Sequence, residues 1–81
     1  MDDKIRQTIA QYARLNVDVE TLAADADLFQ AGMTSHASVN VMLGLEDVFD
    51  VEFPDSMLKR SVFESIASIT AALIELEEQA A

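Results

Sequence analysis

The scarcity of turn-forming residues is the feature that most constrains how this chain can fold. Its 81 residues include two glycines and one proline. No stretch alternates apolar and polar residues in the way that a half-buried strand does. A domain of this size also needs a simple, regular core, because it buries only a modest fraction of its surface. We therefore predict an all-α fold.

Four segments carry apolar residues at helical spacing. The first helix is predicted over residues 2–15, and the second over residues 35–50. A short third helix is predicted over residues 54–60, because proline suits the first position of a helix. Ser65 is a candidate N-cap for the fourth helix. The apolar stripe of that fourth helix consists of Ile66, Ile69, Leu73 and Leu76.

A long connection, NVDVETLAADADLFQAGMT, separates the first two helices. Loops of this length are uncommon in compact domains and are often functional. We expect Leu22, Leu28 and Phe29 to hold it against the core. The sequence thus predicts a single domain over residues 1–81, built as a four-helix bundle with one long loop and a short third helix.

The charge and the residue types that are missing exclude several functions. Fifteen acidic residues against five basic ones give a formal net charge of −10, which disfavours binding to nucleic acids and to anionic membranes. The chain has no cysteine, so disulfides, thiolate metal sites and thiol chemistry of its own are excluded. The N-terminal residues lack the apolar segment of a signal peptide. We expect a monomer in the cytoplasm.

The second helix has two distinct faces when residues are spaced by about 100°. One face is the predicted core face, and Gly44 on it indicates close packing against another helix. The opposite face carries Val39 and Leu43 among carboxylates. It is either a solvated face with two scattered aliphatic residues or a docking surface for a basic partner. The core face comprises Ala37, Val41, Gly44, Leu45, Val48 and Phe49, with Met42 at its edge. The opposite face comprises His36, Val39, Asn40, Leu43, Glu46, Asp47 and Asp50.

Hydroxyl residues are concentrated where the second helix begins, in the segment GMTSHASV. Thr34 or Ser35 could act as the N-cap. A hydroxyl at this position is also well placed to carry a phosphodiester, because the N-terminus of a helix favours anions. A catalytic Ser35–His36 pair is not expected, since neighbours on a helix do not face each other. His36 has no partner at metal-ligand spacing, and no metal site is predicted.

The same segment and its surroundings resemble the acyl carrier protein family. The matching positions keep one register over nearly the whole chain, and Ser35 falls on the serine that receives 4′-phosphopantetheine in that family. The resemblance implies a non-catalytic carrier that is modified on Ser35 by a phosphopantetheinyl transferase. The matching residues are Leu28, Phe29, Gly32, Ser35, Val39, Leu45, Glu46, Phe49, Pro54 and Asp55.

Several residues depart from the usual acyl carrier pattern. Lys59 and Arg60 place positive charge where fatty-acid carriers are usually acidic. The segment GMTSHASVNVMLGLEDVFDVEFPD more closely resembles the bacterial aminoacyl carrier proteins. That resemblance implies an amino acid held as a thioester and loaded by an ATP-dependent ligase similar to the catalytic core of a seryl-tRNA synthetase. The other departures are Ala31, Thr34, His36 and Asn40.

Two other functions stay open from the sequence. The first is an acyl carrier for fatty-acid or polyketide-type synthesis, and the second is an unmodified helical interaction module in which Ser35 serves only as a cap. For a carrier we expect the partner surface to surround Ser35 and to follow the outer face of the second helix. Its expected residues are Thr34, His36, Val39, Asn40, Leu43, Glu46 and Asp47.

Overall fold

A computed structural model describes residues 2–80 of the chain. Within these residues there are four α-helices and no strand, so the predicted all-α, four-helix fold is confirmed. The helices are α1 (Asp2–Tyr12), α2 (Ser35–Phe49), α3 (Arg60–Phe63) and α4 (Ile66–Ala80). Short 3₁₀ turns occupy Val19–Thr21 in the long loop and Asp55–Met57 before α3.

The core forms where the apolar stripes of α1, α2 and α4 meet. Each stripe follows from residues three or four positions apart, which share one side of a helix. The stripe of α4 lies in the core as predicted, and the structure also confirms Ser65 as the N-cap of α4, since the Ser65 hydroxyl accepts a hydrogen bond of 3.0 Å from the Ser68 N–H. The fully buried side chains are Ile5, Ile9, Leu28, Val41, Leu45, Ile66, Ile69 and Leu73.

The long loop is fixed to the rest of the bundle by buried apolar side chains and by backbone hydrogen bonds. Leu28 is 0% exposed, and its N–H donates to the Glu64 carbonyl at 2.7 Å. The Ala67 N–H donates to the Ala24 carbonyl at 2.8 Å. The guanidinium of Arg6 donates to two loop carbonyls, those of Val19 and Leu22. The predicted role of Leu28 is therefore confirmed, and Leu22 and Phe29 also pack against the core.

Helix α1 is shorter than predicted, because it ends at Tyr12 instead of residue 15. Arg14 adopts a left-handed conformation with φ of 52°, which an α-helix cannot contain. This change of direction brings Asn16 to the Ala31 carbonyl, to which the Asn16 N–H donates at 3.4 Å.

The third helix is short, as predicted, but its predicted position over residues 54–60 is wrong. Lys59 is extended, with φ of −144° and ψ of 157°, and it separates the 3₁₀ turn from α3. Phe63 explains the shift, because it is the buried residue of this segment and packs on Phe53 with ring centroids 5.3 Å apart. The helical turn therefore forms around the residue that reaches the core.

The core face of α2 is largely as predicted, with one error. Val41, Gly44 and Leu45 are buried, and Ala37, Met42 and Phe49 pack against the core. Val48 was also expected to be buried, but it is 44% exposed. It lies one turn beyond Gly44, where neighbouring side chains no longer cover this side of α2.

Gly44 allows α1 and α2 to approach closely, which confirms the predicted reason for a glycine within the helix. A Cβ atom at this position would lie 2.5 Å from Cε2 of Tyr12 and 2.9 Å from Cγ2 of Thr8. Thr8 is buried, and its hydroxyl donates to the Lys4 carbonyl at 2.7 Å. The methyl group of Thr8 is therefore not free to move away.

We predict that Gly44→Ala lowers the free energy of unfolding by about 1 kcal/mol. The steric cost of an added methyl in a packed interface, about 1–3 kcal/mol, exceeds the gain of about 1 kcal/mol in helix propensity. Urea unfolding followed by circular dichroism measures the difference. In a Thr8→Ser background, which keeps the hydroxyl but removes the methyl group, Gly44→Ala should lower the free energy of unfolding by less than it does in the wild-type chain. An unchanged or increased stability of Gly44→Ala alone would contradict the close approach of the helices.

Candidate functional site

The first turn of α2 shows which hydroxyl residue is the N-cap. Thr34 is extended, with φ of −85° and ψ of 164°, and its side-chain oxygen accepts a hydrogen bond from the Ala37 N–H at 3.0 Å. This is the geometry of an N-cap residue. Ser35 is the first helical residue, and its hydroxyl is not needed to begin the helix.

The other hydroxyl residue of this turn is also engaged. The Ser38 hydroxyl donates to the Ser35 carbonyl at 2.6 Å. Within residues 2–80 no side-chain or backbone group bonds to the hydroxyl of Ser35, and this residue is exposed. Of the three hydroxyl residues at the start of α2, Ser35 is thus the one whose oxygen is available for chemistry.

A tight turn before α2 sets the position of Thr34. The Asp27 carboxylate accepts hydrogen bonds from the N–H groups of Phe29 and Gln30, at 2.9 and 3.3 Å. Gly32 has φ of 118°, a conformation that favours glycine. Met33 is buried, and its N–H donates to the Leu28 carbonyl at 3.0 Å. The turn therefore links the start of α2 to the buried part of the loop.

A groove of about 330 Å³ opens beside Ser35. It lies between α2, the residues that lead into α3, and the end of the long loop. Aromatic and aliphatic side chains form most of its wall, and the remaining residues are hydroxyl-bearing or basic. Its lining residues are Phe29, Ser35, Ser38, Val39, Met42, Leu58, Lys59, Arg60 and Phe63.

The sequence did not predict this groove, because its walls come from three separate segments. The helical spacing places Met42 at the edge of the core face, and the sequence predicts for Phe29 only that it holds the loop against the core. The one available signal was the basic pair of Lys59 and Arg60 in a strongly acidic chain. In the structure the Arg60 guanidinium lies over the Phe29 ring, 4.2 Å from its centroid.

The outer face of α2 exposes the two aliphatic residues that the helical phase predicted. Val39 is 51% and Leu43 is 53% exposed, and Val39 also lines the groove beside Ser35. Asp47 is exposed on the same helix. An exposed apolar area with an acidic neighbour is therefore present where a docking surface was predicted.

The remaining residues of the predicted partner surface differ in their exposure and in their hydrogen bonding. His36 is exposed next to Ser35, and Asn40 is half-buried. Glu46 is also half-buried, and its carboxylate accepts a hydrogen bond of 2.8 Å from the Phe53 N–H. Glu46 thus fixes the segment that follows α2, a structural role that the sequence did not indicate.

Residues 2–80 also lack the features of two other classes of site, a metal centre and a membrane span. No three histidine or acidic residues in this part of the chain are close enough to hold a metal ion together. No helix among the same residues has the length and apolar character needed to cross a membrane.

Comparison with known proteins identifies the family of this chain. The family model described as "Phosphopantetheine attachment site" matches residues 3–73. An aminoacyl carrier protein from Agrobacterium fabrum is 48% identical over 69 residues, which cover 85% of this chain and 83% of that protein. The chain belongs to the aminoacyl carrier proteins. The resemblance found in the sequence is thereby confirmed, and so is 4′-phosphopantetheine as the group that attaches to this family.

Further relatives of this carrier support the same family. Aminoacyl carrier protein 1 from Bradyrhizobium diazoefficiens is 33% identical over 69 residues, covering 80% of this chain and 77% of that protein. A solution structure from Agrobacterium tumefaciens shares 46% identity, with full coverage of both chains and a TM-score of 0.71.

One crystal structure shows such a carrier with an enzyme. It contains an engineered Bradyrhizobium japonicum glycine:[carrier protein] ligase complexed with carrier protein from Agrobacterium tumefaciens and ATP. The match has a TM-score of 0.88 and 43% identity, and it covers 91% of this chain and 96% of that chain.

The different roles of Thr34 and Ser35 predict different effects of alanine at the two positions. Thr34→Ala removes the cap and should lower the free energy of unfolding by about 1 kcal/mol. Ser35→Ala should change it by less than about 0.5 kcal/mol, as expected for an exposed residue without a hydrogen bond. Urea denaturation of both variants measures the effects. A larger loss for Ser35→Ala than for Thr34→Ala would show that Ser35 is the cap.

Proposed function

We propose that this chain carries 4′-phosphopantetheine on Ser35 and holds an amino acid as a thioester on that group. The observation that carries the proposal is the exposed hydroxyl of Ser35, which makes no hydrogen bond within residues 2–80 and opens onto a groove. Thr34 and Ser38 flank it, and both have engaged hydroxyls. Residues 1–81 act as one carrier domain in this proposal.

The residues around Ser35 fit a covalent phosphodiester. The Ser35 hydroxyl supplies the oxygen that becomes part of the ester. The backbone N–H groups of Ser35 and His36 belong to the first turn of α2, where N–H groups lack partners inside the helix and favour an anion. The attached group supplies the thiol for the thioester, since the chain has no cysteine. Family membership argues against an unmodified interaction module.

The proposed partners rest on the family resemblance, and one related complex supports the ligase among them. A phosphopantetheinyl transferase modifies Ser35, and an ATP-dependent ligase similar to a seryl-tRNA synthetase core loads the amino acid. The carrier itself catalyses neither step. It acts as a monomer in the cytoplasm, binds neither nucleic acid nor membrane, and passes its cargo to an acceptor enzyme. A glycine ligase is the enzyme in the related complex, which favours glycine or another small amino acid such as alanine as the cargo.

The proposed surface for these enzymes surrounds the attachment site. Val39 and Leu43 supply exposed apolar area, which a partner can bury on docking. Thr34, His36 and Asn40 differ from the usual acyl carrier pattern and distinguish this surface from that of other carriers. Asp47 attracts basic groups of the partner. Glu46 acts more indirectly, since its carboxylate is already bonded to the Phe53 N–H.

Modification of Ser35 is the direct test of the attachment site. Incubation of the apo protein with coenzyme A and a phosphopantetheinyl transferase should add one prosthetic group, measured by intact mass. Ser35→Ala should abolish the addition, because it removes the one available hydroxyl of this turn. Ser38→Ala is the matched control and should be modified normally. Addition to Ser35→Ala, or no addition to the wild-type chain, would refute attachment at Ser35.

Charging of the holo protein tests the cargo. With ATP and an amino acid:[carrier protein] ligase, holo protein should form a thioester with glycine or alanine, detected as a mass increase that hydroxylamine removes. Apo protein and Ser35→Ala should not be charged. Efficient acylation by fatty-acid synthesis enzymes, together with no aminoacylation, would favour the acyl carrier alternative.

The same charging assay tests the docking surface. Holo Leu43→Ala should lose about tenfold in kcat/KM for the ligase, because a buried contact worth about 1–2 kcal/mol is removed. Its stability should change little, since Leu43 is 53% exposed. Asp47→Lys should slow charging more at low salt than at high salt. Ile74→Ala, at an exposed aliphatic residue on α4, is the control; an equal loss there would contradict a surface on α2.

A further inference from the structure

Two adjacent cations beside Ser35 have no role in the function described so far. The chain has five basic residues and a net charge of −10, yet Lys59 and Arg60 both line the groove that Ser35 lines. The one ion pair within residues 2–80 joins Arg6 to Asp2 on α1. Lys59 and Arg60 therefore lack a carboxylate partner among the described residues, although acidic residues outnumber basic ones threefold.

The position of Arg60 is set by the loop that also positions Ser35. Its guanidinium lies on the ring of Phe29, 4.2 Å from the centroid, and the Phe29 N–H is bonded to the Asp27 carboxylate. Stacking uses the flat face of a guanidinium and leaves the donors at its edge available. These donors match the oxygens of a phosphate group. Arg60 is thus held in place by an aromatic ring while its hydrogen-bonding groups stay unused by any carboxylate of residues 2–80.

We propose that Lys59 and Arg60 form a binding subsite for the phosphodiester that is attached to Ser35. This inference rests on the proposed attachment at Ser35 and adds what holds the group after attachment. Ser35 lies on the α2 wall of the groove, and Lys59 and Arg60 lie on the wall at the start of α3, so these two side chains would face the phosphodiester once it is attached. Its negative charge is balanced by the chain itself, so the arm leaves Ser35 in a preferred direction.

The negative net charge of the chain makes nearby cations important for the stability of the modified protein. A further anion on a small domain with a net charge of −10 adds to the repulsion within it. Lys59 and Arg60 convert this repulsion into an attraction at the attachment site. Because the groove is open to solvent and both cations are exposed, the attraction should be modest and should weaken with salt.

The change in melting temperature between apo and holo protein tests this subsite. Both forms of each variant are prepared, and intact mass first verifies that Ser35 is modified. In the wild-type chain at low salt, modification should raise the melting temperature by about 2–5 °C. In Lys59→Gln/Arg60→Gln modification should lower it, because the new anion then meets only the acidic domain. Near 1 M salt the difference between the two chains should vanish.

Lys4→Gln/Arg14→Gln is the matched control, since it removes the same two charges from exposed positions that do not line the groove. It should keep the stabilisation seen in the wild-type chain. Arg60→Lys should keep part of the effect, because it retains the charge but not the planar donors. A second measurement follows the Arg60 Nε–Hε NMR signal, which should shift when apo protein becomes holo protein and should not shift in Ser35→Ala treated in the same way.

The outcomes separate this inference from the proposed function. Absence of any mass addition would refute attachment itself. Normal modification, with the same change in melting temperature in Lys59→Gln/Arg60→Gln as in the control, would overturn the subsite and leave the attachment intact. A slower transferase reaction without any difference in that change would assign the two cations to an enzyme interface, and would also overturn the subsite.

Discussion

The docking of the long loop onto the connection between α3 and α4 is the constraint on which the site depends. Leu28 is fully buried, and its N–H is bonded to the Glu64 carbonyl, while the Ala67 N–H is bonded to the Ala24 carbonyl. These contacts fix the turn that ends at Thr34, and so they fix where α2 begins. They also hold Phe29, which supports Arg60. One docked loop thus places both sides of the groove, although they are distant in sequence.

The three hydroxyl residues at the start of α2 differ in their hydrogen bonding. Thr34 satisfies a free N–H of the first turn, and Ser38 bonds to a backbone carbonyl. Ser35 can therefore be modified without removing a bond that the helix needs. A cap and a modification site had been alternative interpretations of the same segment. In the structure Thr34 is the cap, and the hydroxyl of its neighbour Ser35 makes no hydrogen bond within residues 2–80, so the start of the helix does not depend on that hydroxyl.

Charge is distributed unevenly around this site. The outer face of α2 combines exposed aliphatic residues with Asp47, whereas the opposite wall of the groove carries Lys59 and Arg60. Glu46 on α2 also supports the opposite wall of the groove. Its carboxylate accepts a hydrogen bond from the Phe53 N–H, and Phe53 packs on Phe63, which lines that wall. Glu46, which the sequence predicts as part of the partner surface, therefore also supports the shape of the groove.

The sequence by itself determined the all-α fold, the stripe of α4 with its cap at Ser65, the close approach at Gly44 and the exposure of Leu43, because helical periodicity and local capping act between near neighbours. Through a family pattern it also predicted Ser35 as the attachment site. Only the tertiary structure decided that Thr34 is the cap, that α3 begins at Arg60, that Val48 is exposed and that a groove lies beside Ser35. These features depend on which side chains from distant segments cover one another, and the spacing of residues along one helix carries no information about that.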